Sequence, residues 1–70
     1  MTFSKAAAMF GILVTEVVDK RLTRSMDLNP YLSLADAAER ELSERPNWYS
    51  QTPEGEYLCY IIAQNRSPHE

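Results

Sequence analysis

The chain has 70 residues, seven Lys or Arg against ten Asp or Glu, a formal net charge of −3, one cysteine and one histidine. That length holds a single hydrophobic core. One cysteine closes no internal disulfide, and one Cys with one His builds no structural metal site; of the staples that small domains use, oligomerisation is the one left. The acidic balance disfavours an extended nucleic-acid surface.

The N-terminal stretch is the organising element. Ser4 is placed to cap a first helical turn, and Ala6, Ala7 and Ala8 have the best intrinsic helix propensity. Two adjacent apolar rows follow: Phe10, Val14, Val18, Leu22 and Met26 at four-residue spacing, and Met9, Leu13 and Val17 beside them. The pattern predicts one helix over about 4–26, roughly 35 Å long at about 1.5 Å per residue, with a stripe wide enough for more than one neighbour. The β-branched segment 12–18 also fits a strand, but the alanine-rich start and the charged residues Asp19, Lys20 and Arg21 favour the helix. Glu16 and Asp19 interrupt the apolar run after nine residues, too soon for a membrane span. No Ala-x-Ala cleavage site follows the run, so a cytoplasmic location is expected. Ala7, Gly11 and Thr15 lie four apart and would form a small-residue groove for a second backbone; the alternative reading of Gly11 is a kink.

Residues 23–32 read as a connection, with Pro30 disfavouring a helical Asn29. Ser33 with Asp36 three residues on resembles a shortened capping box, with Leu32 placed to pack back on Ala37. A second helix is predicted over 33–45, carrying Leu34, Ala35, Ala38 and Leu42 inward, and stopped by Pro46. Residues 47–51 form an aromatic turn. Thr52, Pro53 and Glu54 make a strong helix start, which predicts a third helix over 53–65 and a frayed end from Asn65. Residues 57–63 also suit a buried strand, an ambiguity that periodicity alone leaves open.

Charge is uneven. Residues 1–28 carry a net charge of +1 and residues 29–70 a net charge of −4. Glu39, Glu41 and Glu44, with the aromatic anchors Trp48 and Tyr49, are the candidate partner-binding residues, although an acidic helix face is also the ordinary solvated one. Ala7, Phe10, Gly11, Leu13, Val14, Val17 and Val18 are the candidate self-association residues.

Residues 34–42 are similar to the first helix of many helix-turn-helix regulators. The resemblance would imply a DNA-binding dimer with Arg21 and Arg24 on phosphates. The expected glycine-containing turn is replaced by residues 43–49 with Pro46, and the helix in the recognition position would present Glu54 and Glu56. Catalysis has little to stand on: His69 lies at the tail, Cys59 falls in an apolar run where a buried thiol is inert, and paired carboxylates two residues apart diverge on a helix. No phosphate loop or zinc spacing is present. The sequence therefore predicts an all-α, three-helix domain forming a dimeric bundle, without enzyme activity, metal or cofactor. It would be a small acidic interaction or regulatory protein of bacterial or phage accessory type, binding another protein.

Overall fold

The computed structural model describes residues 5–66; the expected Ser4 cap and His69 lie outside the described residues. Four α-helices and one short 3-10 helix follow in order: α1 Lys5–Phe10, α2 Ile12–Leu28, α3 Leu34–Ser43, the 3-10 helix Asn47–Gln51 and α4 Pro53–Arg66. Among the described residues there is no strand, so the β-branched segment of α2 and the apolar run 57–63 are both helical.

The expected single helix over 4–26 is broken at Gly11. This residue has φ 98° and ψ 143°, a conformation open to glycine at little cost and to other residues at about 1–3 kcal/mol. The Gly11 amide still donates to the Ala7 carbonyl at 2.9 Å, and the helical ladder resumes with the Thr15 amide on the Gly11 carbonyl at 3.1 Å. The break makes an elbow that lets the Phe10 ring meet both Tyr57 and Tyr60 on α4, each at 5.5 Å between centroids. The single helix therefore gives way to the kink that the sequence allows at Gly11, with three aromatic rings packed across it.

α2 runs on to Leu28, two residues past the expected end and through much of the expected connection. Asn29 is extended before Pro30, at φ −137° and ψ 92°, and its side-chain oxygen accepts the Tyr31 amide at 3.2 Å. The Ser33 hydroxyl caps α3 by accepting the Asp36 amide at 3.1 Å. The buried face of α3 is Ala35, Ala37 and Ala38; Leu34 points outward instead of inward and Ala37 inward, a rotation that sets small side chains against α4. Leu32 packs on the core beneath them.

The 3-10 helix lies directly on the start of α4. A Cβ on Gly55 would fall 2.0 Å from the Tyr49 carbonyl oxygen and 2.7 Å from Ser50 Cα, so only glycine admits this approach. The Thr52 hydroxyl accepts the Gly55 amide at 3.1 Å and donates to the Tyr49 carbonyl at 2.6 Å, tying the two elements together as the Thr-Pro-Glu signal anticipates. Along α4, Tyr57, Leu58 and Ile61 face the core with Val18 and Leu22 of α2. Cys59 is exposed rather than buried, because the helix turns it away from Leu58 and Ile61. Asn65 and Arg66, expected to fray, are helical: Asn65 donates to the Ile61 carbonyl at 2.8 Å, and Arg66 reaches Asp36 and Glu39 on α3 at 2.8 and 2.6 Å. No described helix is long and apolar enough to cross a membrane.

Candidate protein-interaction surface

The two apolar rows of the N-terminal stretch have different fates. Val18 and Leu22 are fully buried, and Phe10, Val14 and Met26 pack against the same core. The second row stays outside. Met9 is 56%, Leu13 76% and Val17 44% exposed, and Ile12 joins them at 47%. α3 and α4 cover one side of α2, and among the described residues no further helix covers the other.

This division corrects the candidate self-association set. Val18 is at 0% exposure and unavailable to a partner, Phe10 is held among Tyr57 and Tyr60, and the Ala7–Gly11–Thr15 groove does not form. Thr15 is buried, with its hydroxyl donating to the Ile12 carbonyl at 2.9 Å, and Gly11 sits at the elbow, outside either helix. Leu13 and Val17 remain on the surface, with Val14 half-buried at its edge. The Gly11 backbone lies open, since an added Cβ would meet nothing within 4 Å.

Val14 also forms one wall of an open groove of about 420 Å³ between α2, the 3-10 helix and the start of α4. Arg45, Pro46, Trp48, Tyr49, Thr52, Pro53 and Glu54 complete its lining. Trp48 is 64% exposed, with its indole 6.3 Å from the Tyr49 ring in an edge-on arrangement. Val17 lies one turn beyond Val14 on α2, so part of the exposed row adjoins the groove. Sequence periodicity picked out the two rows but had no means of telling which one α3 and α4 would cover.

The acidic and aromatic candidates are largely committed within the fold. Glu39 pairs with Arg66, Glu44 with Arg40 at 3.4 Å, and Glu41 with Arg21 at 3.0 Å and Arg45 at 3.6 Å. Tyr49 is buried rather than exposed. Its hydroxyl donates to Glu54 at 2.6 Å and accepts from Arg21 at 2.8 Å, while the Arg45 guanidinium stacks 4.7 Å over its ring. Arg21 also pairs with Glu54 at 2.9 Å. This network clamps α2, α3, the 3-10 helix and α4 at one point. The Tyr49 hydrogen bond, opposed by partial burial and aided by Arg21, holds the Glu54 carboxyl below the usual range; burial and then Glu54 push the Tyr49 hydroxyl up. Of the five candidate partner-binding residues, Trp48 alone presents a large apolar side chain to solvent.

The bases divide in the same way. Arg21 is taken up inside the clamp, whereas Lys20 and Arg24 are exposed on the outer face of α2. The residue in the recognition-helix position of a helix-turn-helix reading, Glu54, is bound to Arg21 and Tyr49. Among the described residues no group of three His, Cys, Asp or Glu stands close enough to hold a metal ion. Comparison with protein-family models, with curated proteins and with solved structures finds no match.

Proposed function

We propose that the chain is a small non-enzymatic protein-interaction module that acts as a dimer, using the apolar surface around the Gly11 elbow. The observation that carries this reading is the exposure of Met9, Ile12, Leu13 and Val17 together, next to the half-open Trp48 groove. Contiguous exposed apolar surface on a small domain marks an interaction site, because water contact with it is costly and its burial is the main drive for association. The exposed residues also have the interface composition of large apolar side chains with a single tryptophan anchor. Acidic contacts are secondary in this reading, since Glu39, Glu41 and Glu44 already have arginine partners.

A DNA-binding dimer is the competing class, and the withdrawal of Arg21 into the clamp weighs against it. The two readings separate in one pair of assays. The full chain, tagged, is mixed at low salt with a random-sequence duplex and, separately, with an untagged copy of itself. The interaction module retains the untagged copy and leaves the duplex unshifted. A duplex shift that weakens steeply with added salt and survives Leu13→Asp would replace this reading with nucleic-acid binding.

A further inference from the structure

Resting on the reading above, the geometry points to the dimer's construction: a second copy of the chain, related by a two-fold axis, seats its Leu13 in the Val14–Trp48 groove and offers its own groove in return. Three observations support this pairing. First, the most exposed apolar side chain of the elbow, Leu13 at 76%, directly precedes Val14, which lines an open and partly apolar hollow. A protrusion next to a hollow is self-complementary, and a two-fold axis between them fills both hollows with one operation. Second, the exposed parts of Met9, Ile12, Leu13, Val17 and Trp48 come to roughly 600 Å² per protomer before any polar rim is added, against about 800 Å² per partner in an interface of standard size. Third, nothing stands within 4 Å of the Cβ position of Gly11, so the elbow backbone admits close approach by the partner.

The surface also ends where such a pairing would place its rim. Lys20 and Arg24 continue the Leu13 and Val17 stripe of α2 at the next two turns. The apolar half of the stripe is therefore bounded by exposed cations, the arrangement of an interface core with a charged edge.

The chain contains one tryptophan, Trp48, so its fluorescence reports on the groove without labelling. The experiment follows emission maximum and iodide quenching of the full chain through a dilution series, with mass by light scattering on the same samples. The pairing predicts a blue-shifted, quencher-protected Trp48 in the dimer that becomes red-shifted and quenchable with the same midpoint as the mass transition. Leu13→Asp should be monomeric at every concentration, with unchanged circular dichroism and the emission of the dissociated form. Leu13→Ala, which leaves no charge, should weaken the dimer by more than about tenfold. A dimer whose dissociation leaves Trp48 emission and quenching unchanged would overturn the exchange of Leu13 while leaving self-association standing. A chain that is monomeric throughout would remove both. A monomer whose Trp48 shifts only on addition of phosphatidylserine vesicles would reassign the surface to lipid and overturn the pairing.

Discussion

Gly55→Ala sets two opposite effects against each other in one methyl group. On an isolated helix the change should help, since alanine exceeds glycine in helix propensity by about 1 kcal/mol. In this fold the new Cβ would lie 2.0 Å from the Tyr49 carbonyl oxygen and 2.7 Å from Ser50 Cα. Both are backbone atoms, so no side-chain rotation relieves the overlap, and the 3-10 helix must move off α4. Such overpacking costs about 1–3 kcal/mol, occasionally more, and here the displaced carbonyl is also the one that accepts the Thr52 hydroxyl and amide. The packing term wins, and we expect a net loss of about 2 kcal/mol. For a domain of this size that lowers Tm by roughly 10 °C. Urea unfolding followed by circular dichroism measures the change directly, with Gly55→Ser as a companion carrying the same Cβ. A Tm equal to or above wild type for both variants would show that the 3-10 helix does not sit against α4 as described.

Gly11→Ala tests the elbow. Holding alanine at φ 98° costs about 1–3 kcal/mol, and the alternative, a straightened helix, would take Phe10 from Tyr57 and Tyr60. A thermal melt should therefore show lower stability, and an increase would mean that the elbow is dispensable. Stability should also fall above about pH 10, the ordinary tyrosine value. Burial raises the hydroxyls of Tyr49 and Tyr57, the latter also through its hydrogen bond to Asp19 at 2.7 Å. Above the unfolded value the folded state holds more protons than the unfolded one, so stability declines as pH rises. Tyr57→Phe should flatten that decline, and an identical alkaline limb would refute the assignment. Glu54 gives the opposite limb: its lowered carboxyl stabilises the fold above the ordinary glutamate value of 4.5, and this is lost as pH falls below it. Acid titration of Glu54→Gln against wild type should show a shallower loss, and parallel curves would argue against the clamp.

Helix content was legible wherever a local signal had a local cause. Ser33 before Asp36 and Thr52 before Pro53 start helices because their hydroxyls reach amides three residues on. Pro30 sets Asn29 extended through a steric clash with its own neighbour. What escaped reading depends on distant partners. A kink at Gly11 is one of the sequence's alternatives, but the contact that goes with it, Phe10 against Tyr57 and Tyr60, joins residues more than 40 positions apart. Cys59 looks buried in its apolar run, yet the direction of α4 is fixed by which of its faces meets α2 and α3. The acidic stretch looks free until Arg21 and Arg66 are brought onto it by the packing of α2 and α4 against α3. The same holds for the surface around the elbow, since a stripe two rows wide becomes one buried row and one exposed row only when the number of covering helices is known.

The proposed function rests on the exposed row, and a mass measurement tests it. Light scattering on the wild-type chain and on Leu13→Asp, each across a dilution series with circular dichroism on the same samples, separates association from folding. Because Leu13 is 76% exposed, the variant should keep the wild-type spectrum and melting temperature of the dissociated chain. We expect twice the chain mass for wild type at high concentration and the single-chain mass, 8.0 kDa, for Leu13→Asp throughout. Single-chain mass for both proteins at every concentration would contradict self-association through the elbow.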